Sequence, residues 1–600
     1  MTKGAASSAA GVRWDLAPLE PVGGLSAPLR EAVSRCSELR VRHEGRVGEL
    51  DPSGLRSLLD ELGALWNELS RLSAYASLRY SVAVAGEEEI ELATTADLAL
   101  AEAADLLRFV ELEWLALPDD AVSAALDDDA LAPYRYFLSS RRRFRPHVLS
   151  APEERALVAR DAAAEDAWIA LYEQTVATAA IPFDDAELTI DELLARFRDP
   201  AREVRHRALA ALAETLHERL PTIAHCYDSL VADRLAVDRV RGFRGPRAVR
   251  DLENDLPPAA VDRMLEAVEA AYPVAREWYA RKEQLLGAPM TVADEHAPLG
   301  EAPQIPFSVA VATVVGVLDR LGHELGSVAR GFVDDARIDA EPRPGKSGNA
   351  LCLSVSQDRD PYLLLNYTDR LNDALKLGHE LGHGVQFSLA RRAQTPLTFE
   401  APVALSEIPS TFTELLVADE LVEREGDVEL RRALLAERVE ASFDAIFRQV
   451  VLTRYEQSAY ELRAAGQPLL ADRLCGLWLE ANRAYYGSSI ALPDDYAPAW
   501  AYVAHFFHGR FYNYSYAFAH LTSLLLRARL REEGEAFVRR YVAFLRKGGS
   551  EAPVRQLAEL GVDLERDDLW PAAFDELSAM VLQLLQETEA WPQTPVAKGL

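Results

Sequence analysis

The sequence predicts a mainly α-helical fold, and three observations lead to this prediction. Apolar residues recur at helical spacing over residues 25–180. Proline-marked helix starts follow at 199–200 and 256–258. Strand-like alternation is concentrated in two short runs, 350–356 and 361–367. We therefore expect a helical protein with one small β-hairpin.

The chain is long enough for more than one hydrophobic core, because it has 600 residues. Residues 1–12 are small and polar, and we expect a disordered tail there. They lack the apolar segment of a secretory signal. An N-terminal helical domain is expected over 13–200 and a second domain over 201–590. The soft boundary follows from Asp199-Pro200, which is typical of a helix N-cap followed by proline.

The predicted hairpin has residues 357–360 as its turn. One edge strand of such a hairpin can pair with the backbone of an extended peptide. A purely structural hairpin is the alternative, and the residues alone do not decide between them.

The most informative segment follows this hairpin directly. Residues 379–383 match the pattern H-E-x-x-H within an apolar-periodic run. On a helix, His379 and His383 lie on one face and can direct two imidazoles at one Zn²⁺ ion. Glu380 would lie beside the ion, as suits a base that takes a proton from a water molecule. The pattern alone is weak, and residues 323–327 begin with the same letters but end in Ser327, so we interpret them as an ordinary helix.

A hydrolytic zinc site needs a third protein ligand. Glu407 stands in an apolar segment, where a carboxylate is costly to bury unless it is paired or binds a metal. Glu414, two helical turns later, can accept the free ring N–H of a ligating histidine. A solvated helix acid is the alternative for Glu407. Pro409 indicates that the helix either begins near Glu407 or kinks there.

Composition excludes several classes of partner. The formal net charge of −31 disfavours nucleic acid and anionic membrane. The basic run 141–145 is expected to be a solvated face or an ion-pair partner. No apolar run is long enough to span a membrane. The cysteines are far apart, which suggests reduced thiols and a cytoplasmic location: Cys36, Cys226, Cys352 and Cys475.

Segments 379–383 and 406–416 together resemble the oligoendopeptidase F branch of the thimet oligopeptidase-like zinc metallopeptidase family. Segments 291–299 and 332–349 are also similar to that family, and the likeness covers nearly the whole chain. The resemblance implies His379, His383 and Glu407 as zinc ligands, one ion per chain, and Glu380 as the catalytic base. It implies an ellipsoidal multi-helix fold whose two halves flank a deep substrate channel, with the hairpin near the active site.

The aromatic segment 505–516 is more often core or interface when taken by itself. The family carries a similar histidine-and-tyrosine segment that donates hydrogen bonds to the substrate. By resemblance, His505 and one or two of the neighbouring tyrosines stabilise the developing oxyanion. The candidates are Tyr512, Tyr514 and Tyr516.

The function implied is a zinc-dependent endopeptidase that cleaves short peptides. A related helical zinc carboxypeptidase and a non-catalytic peptide-binding protein are the alternatives. Short peptides are the expected partners, and the sequence leaves the oligomeric state open.

Overall fold

The computed structural model describes residues 7–161, 163–300 and 303–589. Two compact units are each assembled from separated parts of the chain. Of the described residues, the first unit comprises those within 1–145, 303–424 and 526–564, and the second comprises those within 146–302, 425–525 and 565–600. The single boundary near residue 200 that we predicted differs from this division. The Asp199-Pro200 signal is local, whereas each unit forms through contacts between distant segments.

The described chain is mainly helical, which confirms the predicted fold class. The helices in its first half are α1 (Ser26–His43), α2 (Pro52–Ser81), α3 (Glu87–Ala116), α4 (Asp119–Asp127), α5 (Arg135–Arg142), α6 (Ala151–Asp161), α7 (Glu165–Ala177), α8 (Ile190–Leu194), α9 (Arg202–Arg241), α10 (Ala248–Asn254), α11 (Pro258–Ala270) and α12 (Tyr272–Leu286). Those in the second half are α13 (Phe307–Leu321), α14 (His323–Asp334), α15 (Leu371–Ala393), α16 (Val403–Arg424), α17 (Val428–Phe443), α18 (Gln449–Ala464), α19 (Ala471–Tyr486), α20 (His505–His508), α21 (Tyr514–Glu533), α22 (Glu535–Lys547), α23 (Pro553–Glu559) and α24 (Leu569–Glu589).

Two small sheets interrupt the helices. In the second unit, β1 (Ile181–Phe183) pairs antiparallel with β2 (Ala186–Leu188). In the first unit, β4 (Leu351–Leu353) and β5 (Tyr362–Leu364) form the expected hairpin. A strand that we did not predict, β3 (Ile338–Asp339), pairs parallel with β5. The order β3-β5-β4 therefore leaves β4 at an edge of this sheet.

Helix α15 is central to the first unit, where it packs against α14, α16 and α22. Its start is fixed by Asp373, whose carboxylate accepts hydrogen bonds from the backbone N–H groups of Thr368 and Arg370. Its last turn carries Arg391 and Arg392, whose positive charge suits the carboxyl end of a helix. Leu377 and Leu381 are fully buried, so the amphipathic pattern of the sequence is used as expected.

The N-terminal residues differ from the prediction of a disordered tail. Residues 1–6 lie outside the described residues, but residues 7–12 are packed against the first unit. Ser7 donates a hydrogen bond of 2.6 Å from Oγ to the carbonyl of Tyr367, and Ala9 is fully buried. Small polar residues of this kind are ordered here because the surrounding fold satisfies their backbone groups.

Several further features agree with the sequence. Helix α11 begins at Pro258, as the proline-marked start at 256–258 predicts. All four cysteines are free thiols. The basic run 141–145 forms ion pairs, with Arg142 and Arg145 both contacting Asp119. Within the described ranges, no helix has the length and apolar character needed to cross a membrane.

Candidate active site

Helix α15 carries His379 and His383 one turn apart on the same face. Their ring centroids are 5.0 Å apart, and the planes are nearly perpendicular. The side chains of His379 and His383 are 23% and 13% exposed, so packing holds each ring while part of it remains accessible to solvent. The spacing predicted from the sequence is therefore realised on a continuous helix.

Helix α16 brings Glu407 to these two histidines. One carboxylate oxygen, Oε2, is 3.5 Å from the Nε2 atom of each imidazole. The three possible ligand atoms lie within 4.8 Å of one another. We call His379, His383 and Glu407 the imidazole–carboxylate cluster. Two imidazoles and one carboxylate are the donor set of a catalytic zinc site, so these residues fit the ion that the resemblance implies.

A glycine makes this approach of the two helices possible. A Cβ atom at Gly382 would lie 2.5 Å from the carbonyl oxygen of Pro409 and 2.6 Å from Cα of Ser410. Real Cβ atoms do not approach backbone this closely, so α16 can reach α15 only because position 382 has no side chain. Position 382 is one of the two unspecified positions of the H-E-x-x-H pattern, so that pattern alone does not predict its role.

The position of Pro409 corrects one expectation. Helix α16 begins at Val403, a full turn before Glu407, so the helix does not start near Glu407. Pro409 lies inside the helix and has no N–H to donate to the carbonyl of Leu405. The Thr413 hydroxyl donates a hydrogen bond of 2.8 Å to the carbonyl of Pro409. Buried apolar packing along α16 outweighs the local cost of the proline.

The two histidines differ in what holds their second nitrogen. Nδ1 of His379 lies 3.0 Å from Oε2 of Glu414, the partner expected from the sequence. A proton on Nδ1 leaves the lone pair of Nε2 directed at Glu407. Nδ1 of His383 is buried and has no hydrogen-bond partner among the described residues. The ring of His383 is instead stacked on Phe387, with centroids 5.9 Å apart.

The buried ionisable side chains of the cluster shift one another's pKa values. Burial alone would lower the pKa of His379, but its hydrogen bonds to Glu407 and Glu414 outweigh burial and raise that pKa well above its usual value. For Glu407, burial would raise the pKa, but the attraction of His383 and hydrogen bonds from both imidazoles hold it well below its usual range. The cluster therefore strongly favours an ionised carboxylate facing the two imidazoles.

Glu380 is buried next to this cluster and keeps 7% of its exposure. Burial raises its pKa, although the neighbouring His379 and His383 oppose that shift. The thiol of Cys352 on β4 is close enough for the carboxylate of Glu380 to help raise the thiol's pKa, after burial as the larger cause. Strand β4 therefore runs alongside the helix that carries Glu380.

In the second unit, His505, Tyr512 and Tyr516 form a second group of polar rings, which we call the tyrosine cluster. Their ring centroids are 5.2–5.8 Å apart. The hydroxyl of Tyr516 lies 3.4 Å from Nε2 of His505. His505 is exposed and both tyrosines are half-buried, so their polar atoms can reach a ligand.

Tyr514 is separated from this cluster. Its side chain is fully buried, and its hydroxyl accepts a hydrogen bond of 2.9 Å from Nδ2 of Asn254. Burial raises the pKa of Tyr514 well above its usual value. Of the three tyrosines named from the sequence, the structure therefore groups Tyr512 and Tyr516 with His505 and directs Tyr514 into the packed interior.

Buried charges that the sequence analysis missed hold this segment in place. Phe511 has a left-handed backbone, with φ of 53°, which is unusual for a residue other than glycine. Its backbone N–H donates a hydrogen bond of 2.9 Å to Glu456. The guanidinium of Arg510 donates two hydrogen bonds of 2.8 Å to Asp238. No local sequence signal marks Glu456 or Asp238, because both come from distant helices.

The chain matches two known families. Residues 317–576 match peptidase family M3, and residues 113–179 match the family described as oligopeptidase F. The two matches together cover more than half of the chain.

Curated relatives extend the likeness along the chain. Oligopeptidase PepF from Bacillus subtilis is 23% identical over 536 residues, which cover 86% of this chain and 80% of that protein. An oligoendopeptidase F homolog from Lactococcus lactis is 24% identical over 559 residues, which cover 90% and 91%.

Solved structures share the fold. Oligoendopeptidase-F from Enterococcus faecium matches with a TM-score of 0.71 and 20% identity, over 93% of this chain and 97% of that one. PZ peptidase A with an inhibitor matches with a TM-score of 0.76 and 17% identity, over the same shares. The matches to these two families and the curated relatives show that the chain belongs to the oligoendopeptidase F branch of peptidase family M3.

Proposed function

We propose that this chain is a zinc-dependent endopeptidase that hydrolyses peptide bonds in short peptides through an activated water molecule. The observation that carries this proposal is the convergence of two imidazole nitrogens and one buried carboxylate, with Glu380 beside them. Three such ligands leave one position of a tetrahedral ion open, which is what a catalytic zinc site requires.

In the proposed site, His379, His383 and Glu407 hold the ion. When bound, zinc supplies a Lewis acid that polarises the scissile carbonyl and makes a nearby water molecule more acidic. Glu414 orients the ring of His379 so that Nε2, rather than Nδ1, faces the ion.

Glu380 acts as the base. Its carboxylate takes a proton from the attacking water molecule and later delivers that proton to the nitrogen of the leaving amine. Burial supports both steps, because the raised pKa of Glu380 makes its carboxylate a better proton acceptor near neutral pH than an exposed glutamate. The family resemblance supports the same role.

His505, Tyr512 and Tyr516 are our candidates for stabilising the negative charge that develops on the carbonyl oxygen. A phenol O–H or an imidazole N–H that donates a hydrogen bond to that oxygen typically raises the rate about 10²–10³-fold. The support is the family resemblance together with the clustering and accessibility of these three side chains. We no longer include Tyr514, because its hydroxyl is bonded within the core.

The edge of β4 is our candidate for binding the substrate backbone. The strand pairs with β5 on one side and runs along α15 near Glu380. Main-chain hydrogen bonds to such an edge hold an extended peptide with little dependence on its side chains. The restriction to short peptides comes from the family resemblance.

The test is hydrolysis of a fluorescence-quenched peptide that is blocked at both termini. We expect cleavage by the purified protein, loss of cleavage on treatment with a chelator, and recovery when zinc is added. His383→Ala should bind less than a tenth of the zinc bound by the wild type, because two remaining ligands hold the ion poorly.

Each alternative predicts a different result. A carboxypeptidase would cleave only a peptide with a free terminus, whereas a peptide-binding protein would bind the probe without cleaving it. Cleavage that is insensitive to the chelator and to the His383→Ala substitution would contradict the proposal.

A further inference from the structure

A cavity of about 520 Å³ in the first unit lies outside the cluster that we propose to hold zinc. Its walls include apolar side chains of α2 and α3, among them Leu59, Trp66, Leu107 and Trp114. Charged side chains also line it: Arg108, Glu111, Arg141 and Glu400. We call it the α2–α3 cavity. Its volume is within the range of ligand sites and exceeds what one aromatic side chain needs.

The cavity is joined to strand β4 through its polar residues. The side chain of Ser354 donates a hydrogen bond to Glu400, and Glu400 lines the cavity. Ser356 also lines it. Residues 352–356 therefore lead from Cys352, next to Glu380, to the wall of the cavity.

Helix α15 gives the distance from Glu380 to the near end of the cavity. Glu380 and Arg391 are about three turns apart along this helix, which corresponds to about 16 Å. The side chain of Gln357 donates a hydrogen bond of 2.8 Å to the carbonyl of Arg391, and its neighbour Ser356 lines the cavity.

Hydrogen bonds hold the walls of the cavity in place before any ligand binds. Asn67, itself part of the lining, accepts a hydrogen bond of 2.6 Å from the backbone N–H of Gln357 and donates one of 2.7 Å to Asp358. The backbone N–H of Gly549 donates a hydrogen bond of 2.9 Å to the carbonyl of Thr398, in the loop that forms another wall. A preformed cavity binds a side chain with little ordering cost.

We propose that the α2–α3 cavity is a distal specificity site that takes an apolar or aromatic side chain of the peptide substrate, four to five residues from the scissile bond. A peptide paired with β4 covers the distance from Glu380 to the cavity in about that many residues. This inference rests on the proposed function. It commits the occupant to a substrate side chain, because the cavity continues the strand edge next to Glu380.

The test is a set of doubly blocked quenched peptides with one fixed cleavage core. Phenylalanine or glycine is placed three, four, five or six positions from the scissile bond, on either side of it. For the wild-type protein we expect kcat/KM about tenfold higher for phenylalanine than for glycine at position four or five on one side. A short probe that ends before position three cannot reach the cavity, so its cleavage measures turnover alone.

A matched pair of substitutions on α3 locates the effect. Ala104→Trp places an indole in the cavity, and we expect the ratio of kcat/KM for the phenylalanine and glycine probes to fall to about one. Ala101→Trp is on the exposed face of the same helix and should keep the wild-type ratio. The wild-type probe scan decides the question even where Ala104→Trp does not fold.

The outcomes separate the two proposals. Cleavage of the short probe without any preference at positions three to six overturns the distal site and leaves the proposed function standing. A preference that Ala104→Trp leaves unchanged also overturns the distal site. Failure to cleave every probe in the presence of zinc overturns the proposed function together with this site.

Discussion

The imidazole–carboxylate cluster of the first unit and the tyrosine cluster of the second unit are constructed in different ways. In the first, two side chains share a helix, and a second helix packed directly against it adds Glu407. In the second, His505 lies on α20, and a left-handed turn at Phe511 precedes the tyrosines. Spacing within a helix can be interpreted from sequence, whereas a turn held by distant side chains cannot.

The two clusters also differ in charge. The first places two imidazoles among the carboxylates of Glu380, Glu407 and Glu414, and this dense charge shifts several pKa values. The second consists of an imidazole and two phenols in mutual contact. We therefore expect substitutions in the first cluster to affect metal binding and proton transfer, and those in the second to affect rate without loss of metal.

The largest effect should come from Glu380→Gln. Removing the base should lower kcat/KM by about 10³-fold, since general base catalysis contributes about 10²–10⁴. Zinc content should be unchanged, because Glu380 is not one of the three ligand residues. Peptide turnover and metal analysis of the same preparation measure both.

The chain supplies its own control for that substitution. Glu324 follows His323 in the incomplete copy of the motif and forms a surface ion pair with Arg546. Glu324→Gln should keep wild-type turnover. A Glu380→Gln protein as active as Glu324→Gln would show that Glu380 is not the base.

The second effect should sharpen the distinction within the tyrosine cluster. Replacing Tyr512 and Tyr516 together by phenylalanine should lower kcat by about 10²-fold, because a donor to the oxyanion is lost. KM and zinc content should change little. Stopped-flow and steady-state assays with the blocked peptide measure the change.

Tyr514→Phe is the matched control, because it removes a phenol that is only two residues away. Its hydroxyl accepts a hydrogen bond from Asn254 in the core, so the loss should cost about 1 kcal/mol of unfolding free energy. The kcat value should stay close to that of the wild type. A large fall in kcat for Tyr514→Phe alone would reverse our assignment.

The third effect concerns the orientation of His379. Glu414→Ala removes the acceptor for Nδ1 of His379 and should weaken zinc binding by about 10–100-fold. Competition with a fluorescent chelator gives the dissociation constant. Glu423→Ala, on the exposed face of the same helix, should leave it unchanged. Equal affinities for the two variants would rule out the orienting role of Glu414.

The smallest effect on turnover is expected from Glu456→Gln, which tests how the turn before the tyrosines is held. Burial raises the pKa of Glu456 to about 8, although the N–H of Phe511 opposes the shift. In the unfolded chain the pKa is about 4.3. The folded state therefore favours the protonated acid. The contribution of Glu456 to the unfolding free energy is complete below pH 4 and is lost as the pH rises through about 8.

Glu456→Gln removes this dependence on pH. The unfolding free energy of the wild type should fall relative to the variant by a few kcal/mol between pH 4 and pH 9, since a tenfold change in an acid constant is worth about 1.4 kcal/mol. Urea unfolding at several pH values measures it, with Glu461→Gln on the exposed face of the same helix as the control. Parallel curves for wild type and Glu456→Gln would contradict a buried, protonated acid.

Much of the first cluster could be predicted from the sequence. Helical spacing brought His379 and His383 together and placed Glu414 on the same face as Glu407, whereas the family resemblance identified Glu407 as the third candidate ligand. The hairpin was also predicted, because turn residues separate two apolar runs. Strand β3 was not, since its two residues become a strand only by pairing with β5, far along the chain.

The remaining differences have the same physical origin. Of the two alternatives for Pro409, a helix start near Glu407 is wrong, because tertiary packing keeps Pro409 inside a helix that begins at Val403. The roles of Glu456 and Asp238 depend on helices that are distant in sequence. The helical spacing of His379 and His383 was therefore a reliable signal, whereas contacts between distant segments required the folded structure.

Gly382 carries a practical lesson for protein engineering. A designer who copies the two histidines and the intervening glutamate onto another helix, but leaves alanine at the fourth position of the motif, would hold the neighbouring helix off by one methyl group. The carboxylate of Glu407, our proposed third ligand, would then fall short of the two imidazoles. A transplant of this centre must carry the bare backbone of position 382 as well as the side chains that surround it.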